Sequence, residues 1–481
     1  MTTTCIRRAS WTIGWDPERY RHVYMRDADV AFDETEVLHV GGPYAGRVDT
    51  EIDGRDRFVF PGLVDVHCHP SAQAIFRGYT EEFGNPRLFF SGRQRFRQSF
   101  EPDLEGMRAS ARFTIAELLA GGVTTIVDLS HAYDGWLDIV AETAVRAVVA
   151  PMYRSARWYT DTGQETKYDW SDDGGRAAFE EAIEVMDAAD RHPSGLLASM
   201  VSPAQVDTCT EALLRDSIEL AARSQRPLHV HAAQSYAEFQ GMTRRHDMTP
   251  IQYLRRIGFL GPRTLIGHAV FTDEHPWLHW PRRDDLRALA STQTTVAHAP
   301  TVFARDGTLL HDLGSYAAAG VRLAIGTDTH PHNMLEELRV AEVLARVAAG
   351  PRHRFDTASV FTAATVGGAD AIGRRDLGRL VAGARADIVM ADLEHPSMEP
   401  TRDPLRSIVY AGAERPITHV FVDGRLLVDH GHVVTVDRVA AAAALRRSQQ
   451  RSEGHAPSLD PDGADVSTFA PLSLEVVDHT A

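Results

Sequence analysis

Two histidines one residue apart, His67 and His69, close the apolar stretch Pro61-Gly62-Leu63-Val64-Asp65-Val66-His67-Cys68-His69-Pro70. In a strand, alternate side chains share a face, so both imidazoles can reach one metal ion. A His-x-His pair alone is a weak signal, because ordinary surface and core histidines produce it too. Here it has company. His231 ends Pro227-Leu228-His229-Val230-His231, His268 ends Thr264-Leu265-Ile266-Gly267-His268, and Asp328 ends Val321-Arg322-Leu323-Ala324-Ile325-Gly326-Thr327-Asp328. His67, His69, His231 and Asp328 offer three neutral nitrogens and a carboxylate, a borderline donor set that suits zinc, iron or cobalt and leaves room for water. The chemistry such a centre serves is hydrolysis, because a divalent ion lowers the pKa of water from about 16 to about 7.

Each of these residues stands at the C-terminal end of an apolar run, where barrels of alternating strands and helices keep their active sites. Eight such runs are present: Gly62–His67, Val123–Leu129, Ala144–Met152, Leu196–Val201, Leu228–His231, Thr264–His268, Thr294–His298 and Val321–Ile325. Between them lie amphipathic or Ala-rich segments such as Arg108–Ala120, Arg176–Ala189, Glu211–Arg223 and Asp284–Ala290. The alternation predicts an α/β fold, a TIM-like (β/α)8 barrel over residues 61–376. An open doubly wound sheet is the alternative, but its Gly-rich phosphate fingerprint is missing. Residues 1–60 and 377–435 read as short strands and turns. In 436–481, an Ala/Arg-rich stretch from Val439 to Gln450 reads as a helix, and Ser452–Asp465 as a flexible tail or one draped on a neighbour.

At 481 residues and 43% hydrophobic, the chain can bury a large core. Its formal charge of -16 argues against nucleic-acid binding. Only Cys5, Cys68 and Cys209 are present, too few and scattered for a disulfide framework. No apolar stretch reads as a secretory signal or membrane span, so a cytoplasmic protein that avoids membranes is expected.

The ordered set His-x-His, His, His, Asp resembles the amidohydrolase superfamily, in the branch of cytosine deaminase, adenosylhomocysteine deaminase and the triazine hydrolases. The resemblance spans about residues 35 to 435. It implies that the two chain ends assemble a small β-sandwich, that Asp328 also takes a proton from the activated water and passes it to the leaving nitrogen, and that His268 polarises the scissile bond, places the water or adds a fifth ligand. Two-metal members bridge their ions with a carbamylated lysine at the end of the fourth barrel strand. Of the 50 basic residues here one alone is lysine, Lys167, in the polar run Thr162–Tyr168, which reads as loop. One divalent metal per chain is therefore expected, zinc before iron or cobalt.

One position departs from the deaminase pattern. Those enzymes carry glutamate where this chain has Gln234, and an amide can hydrogen-bond a substrate but cannot exchange a proton at neutral pH. Gln234 and the turn Thr327-Asp328-Thr329-His330-Pro331-His332-Asn333 look most like the phenylurea and molinate hydrolase group. The expectation is a hydrolase cleaving a urea, amide, carbamate or thiocarbamate bond in a small apolar molecule, such as a phenylurea-type or thiocarbamate herbicide. The alternatives are a deaminase or dechlorinase-like hydrolase of an aminated purine, pterin or triazine, and, more remotely, a non-catalytic scaffold. His298, His330, Arg77 and Phe83 are candidate substrate contacts. Phe83, Phe89, Phe90, Phe96 and Phe100 would form an apolar lid, or else a dimer contact or plain packing. His275, His279 and His311 read as surface residues, and a homo-oligomer, dimer or higher, is expected.

Overall fold

The computed structural model describes residues 2–81, 91–161, 165–308, 310, 312–352 and 355–477. Eight strands form where the eight apolar runs stand: Leu63–Cys68, Val123–Asp128, Arg146–Val149, Leu197–Ser199, Leu228–Ala232, Thr264–His268, Thr295–His298 and Arg322–Ile325. They pair in parallel as two four-stranded runs, the first to fourth strands and the fifth to eighth. Parallel bridges from Val201 to Leu228 and from Cys68 to Asp328 join both seams. The sheet is thus closed into a (β/α)8 barrel, which excludes the open doubly wound alternative. The first, second, third, fifth, sixth and seventh strands are buried at every residue, as expected of parallel strands covered on both faces.

Both chain ends build the second layer. Thr4–Asp16, Arg21–Phe32, Val37–Gly41, Thr50–Asp53 and Arg57–Pro61 join Ile388–Asp392, Ile417–Val422, Arg425–Asp429 and His432–Val433 in one nine-stranded sheet. The seam is antiparallel, with Pro61 opposite Ile388 and Arg57 opposite Asp392. The sheet folds over on itself, so that Phe32 meets Phe421 with ring centroids 5.0 Å apart above a core of Ile6, Val30, Val59, Ile388 and Met390. This is the small sandwich.

Four expectations need correction or narrowing. The C-terminal helix, Arg438–Leu459, runs past Gln450 despite Pro457, because its polar groups find partners: Arg451 Nε donates to Asp103 at 2.6 Å, Ser452 Oγ to the Glu101 carbonyl at 2.8 Å, and Arg95 pairs with Asp460 at 2.8 Å. Phe96 and Phe100 are fully buried and stacked on each other, with Phe76 and Tyr79 against them, beneath that helix. They are packing, not a lid; Phe83, Phe89 and Phe90 lie outside the described residues, as does His311. His275 is buried, 4.5 Å from the Phe271 ring, whereas His279 is exposed. Lys167 opens a strand, Lys167–Trp170, that pairs with Ala156–Tyr159, and its amine faces Asp161 at 2.5 Å.

Candidate metal centre

The strand ends bring His67, His69, His231, His268 and Asp328 into one buried cluster. Asp328 Oδ1 lies 3.2 Å from His69 Nε2 and 3.9 Å from His67 Nε2, and Asp328 Oδ2 lies 3.8 Å from His268 Nε2. His231 Nε2 is 3.4 Å from His69 Nε2. Two overlapping triads, His67, His69, Asp328 and His67, His231, His268, each keep their donor atoms within 4.8 Å of one another. His268 therefore sits where it can serve as ligand or as a neighbour to the reacting bond.

Hydrogen bonds aim the rings. His69 Nδ1 faces the Leu129 carbonyl at 2.5 Å, and His231 Nδ1 faces the Ala204 carbonyl at 2.6 Å. A carbonyl only accepts, so each Nδ1 carries the proton and each Nε2 keeps its lone pair for a cation. His67 Nε2 is buried with no hydrogen-bond partner. Leaving such a group unpaired costs about 1–3 kcal/mol, and a coordinated cation would remove that cost. The residues present thus fit a single transition-metal ion. Burial pulls the His67 and His231 rings well below the ordinary histidine range, so they stay neutral. Burial opposes ionisation of Asp328, but the imidazoles around it, His69 at 3.2 Å first among them, more than offset it and hold the carboxyl well below its usual range.

The backbone makes room for this crowding. A β-carbon on Gly267 would stand 2.7 Å from His67 Cε1, and one on Gly326 would stand 2.6 Å from His67 Cβ. A side chain at either position would force His67 to move. His268 and Asp328 adopt φ of 85° and 55°, a sparsely populated conformation concentrated at functional sites.

Around the cage, Gln234 is buried and its Nε2 has no partner. His298 ends the seventh strand, buried, with Nδ1 unpartnered, and burial together with His268 lowers it to about 3. His330 Nε2 pairs with Glu81 Oε1 at 3.0 Å while its Nδ1 is unpartnered, and the fully buried His332 has no partner at either nitrogen. Arg77 is drawn off to Glu117, with Nη1 3.2 Å from Oε1, so its guanidinium is already paired. Phe83 lies outside the described residues.

Four supporting residues escaped the sequence reading. His229 Nε2 lies 3.2 Å from His67 Nδ1, with Ser202 Oγ behind it at 3.2 Å; its spacing of two from His231 was the available signal. Asp65 accepts from the His67 amide and from the Thr327 amide and hydroxyl at 3.1, 3.1 and 2.7 Å, and burial pushes it up to about 7. Asp128 accepts from Trp136 Nε1 at 2.8 Å. Glu238 accepts from the Ala233 and Gln234 amides at 2.6 and 2.9 Å, fixing the turn that carries Gln234, and burial and Asp207 raise its carboxyl well above the usual range.

With this geometry in hand, kinship can be assigned. The model of the amidohydrolase family matches residues 58–427, and the chain belongs to that family. It is a metal-dependent hydrolase acting on carbon–nitrogen bonds. The 5-methylthioadenosine/S-adenosylhomocysteine deaminase of Natronomonas pharaonis is 28% identical to it over 433 residues, 89% of this chain and 93% of that protein. The 5'-deoxyadenosine deaminase of Methanothermobacter thermautotrophicus is 26% identical over 418 residues, 86% and 92% of the two chains. Among solved structures, an adenosine deaminase from Xanthomonas campestris with bound zinc aligns with a TM-score of 0.80 at 22% identity, over 94% of this chain and 99% of that one. Atrazine chlorohydrolase from Arthrobacter aurescens TC1, complexed with zinc, aligns at 0.77 with 24% identity, over 93% and 100%. The two curated deaminases favour the heterocycle alternative over the urea and thiocarbamate reading, and no likeness to phenylurea or molinate hydrolases is shown. No helix among the described residues is long and apolar enough to cross a membrane.

Proposed function

We propose that the chain is a mononuclear hydrolase that replaces an amino group, or a comparable leaving group, on an aminated nitrogen heterocycle of purine or triazine type with a hydroxyl from water. The single observation that carries this is the buried cage of His67, His69, His231 and Asp328 at the barrel's strand ends, in a family whose named relatives deaminate adenosine derivatives. Zinc in two structural neighbours supports zinc as the ion. A divalent ion held there supplies Lewis acidity, bringing water to a pKa of about 7.

The chain's own residues would do the rest. Asp328, ionised at neutral pH, accepts the proton of the attacking water and returns it to the leaving nitrogen. His268, 3.8 Å from Asp328, orients the water or the scissile bond. Gln234 offers its unpartnered Nε2 to a ring nitrogen, a hydrogen bond without proton transfer. His298, neutral down to about 3, likewise binds as a polar contact and not as an acid. His330 presents Nδ1 from the loop after the eighth strand. Such a site favours rings already electron-poor, which need little protonation before attack.

A second reading, cleavage of an open-chain urea, carbamate or thiocarbamate, rests on Gln234, because those substrates need no ring protonation at all. The separating experiment incubates purified, metal-assayed protein with adenosine derivatives, aminotriazines, aryl ureas and thiocarbamates and identifies the released product. Ammonia from a heterocycle is the expected result. An alkylamine or arylamine from an open-chain substrate, with no heterocycle turned over, would overturn the first reading in favour of the second.

A further inference from the structure

A second constellation lies on the sandwich, away from the barrel's strand ends. His419 stands on the strand Ile417–Val422, Asp429 ends Arg425–Asp429, and His430 begins the turn to His432–Val433. His419 Nε2 is 3.4 Å from Asp429 Oδ1, and His430 Nε2 is 3.8 Å from the same oxygen. Donor atoms about 2.0–2.1 Å from a tetrahedral ion sit roughly 3.4 Å apart. The observed spacing is that of a slightly relaxed coordination shell, and all three donor atoms fall within 4.8 Å of one another.

The backbone holds this arrangement. His430 and Gly431 have φ of 47° and 78°, the signs of a two-residue hairpin turn that usually carries Asn-Gly. Histidine, with Asn and Asp, is among the few non-glycine residues that adopt the left-handed region, so His430 fits this turn. The Gly431 amide donates to the Thr418 carbonyl at 2.9 Å, pinning the turn to the adjacent strand and setting the His419 and His430 rings 4.9 Å apart. His419 Nδ1 bonds Thr418 Oγ1 at 3.0 Å, which leaves Nε2 facing Asp429. Arg57, whose charge reaches His419, is itself held by Asp392 at 2.7 Å.

We propose that His419, Asp429 and His430 form a peripheral binding site for a divalent transition-metal ion. Two imidazoles and a carboxylate suit zinc and its neighbours better than calcium or magnesium. The site binds more weakly than the barrel cage, because the His430 side chain is 80% exposed and open to competing water. It stands independently of the reaction assigned to the barrel.

Calorimetric titration of the purified, metal-loaded protein with zinc chloride should reveal one further equivalent of zinc per chain. Losing an outer-shell partner costs a metal site 10–100-fold in affinity, so His430→Ala should weaken this step by at least about a hundredfold. His419→Gln should do the same, and neither substitution should change the metal retained by the barrel on elemental analysis. Wild-type protein that takes up no further zinc overturns the proposal. So does a His430→Ala titration that matches wild type.

Discussion

The backbone amide of Asp328 donates to the carbonyl of His67 at 2.7 Å, and the amide of His69 donates to the Asp328 carbonyl at 3.0 Å. The first and last barrel strands are therefore stitched together at three of the residues proposed to hold the metal. Barrel closure and cage assembly are thus coupled through the backbone of these three residues.

Gly326 tests that coupling. Its Cα sits so close to His67 that an added β-carbon would meet His67 Cβ, carbonyl and amide at 2.6, 2.7 and 2.9 Å. Gly326→Ala should destabilise the fold by about 1–3 kcal/mol through overpacking, seen as a lower melting temperature, and release the barrel metal. Melting curves and elemental analysis of the same sample check both.

Metal content is the most direct measurement. One tightly held transition-metal ion per chain is expected after extensive dialysis, with chelation abolishing turnover and lowering thermal stability by ligand linkage. Two ions retained under those conditions, with His430 replaced by alanine, would contradict the one-metal reading based on Lys167 being the sole lysine.

Replacing the proposed proton carrier separates binding from catalysis. Asp328→Asn keeps an oxygen for weak coordination but cannot ferry a proton, so turnover should fall by about a hundredfold or more, with a smaller change in KM. Steady-state kinetics on metal-replete variant protein decide it, and near-normal turnover removes Asp328 from the role.

Gln234→Glu introduces the acid expected from the deaminase resemblance. For an enzyme acting on ring amines it should raise turnover of substrates that need ring protonation, and more so at lower pH, where the new carboxyl is protonated. On open-chain ureas it should give no gain. Rates of the two proteins on matched substrates across pH measure this difference.

His298 predicts an acid limb in stability. Unfolded, its imidazole takes a proton near 6.5, whereas folded it does so only at about 3. Its contribution is present in full above 6.5 and is lost as pH falls from 6.5 toward 3, at up to about 1.4 kcal/mol per pH unit. Denaturant titrations of wild type and His298→Gln between pH 7 and 4.5 should show a shallower decline in the variant.

Much of this architecture was legible because strand alternation and strand-end polarity are local signals. The runs ending at His67, His231, His268 and Asp328 announced both barrel and cage. What escaped depends on distant partners. Arg77 reads as a free cation until Glu117, forty residues away, takes its guanidinium. Ser452 and Asp460 look like tail until Glu101 and Arg95 satisfy them. Phe96 and Phe100 suggest a lid until the C-terminal helix buries them. His229 was visible at the right spacing, but its role in turning His67 exists only once Ser202 and His67 flank it.

The antiparallel seam of Pro61 with Ile388 has a consequence for how the chain is made. Those residues are 388 − 61 = 327 positions apart, and closing a loop of that length costs about 5 kcal/mol in chain entropy. On the ribosome, the N-terminal strands emerge first and wait with unpaired edges while the whole barrel is synthesised. A nascent chain halted before residue 388 should therefore be prone to strand-edge aggregation and dependent on chaperones, whereas the finished chain latches itself shut with its last strands.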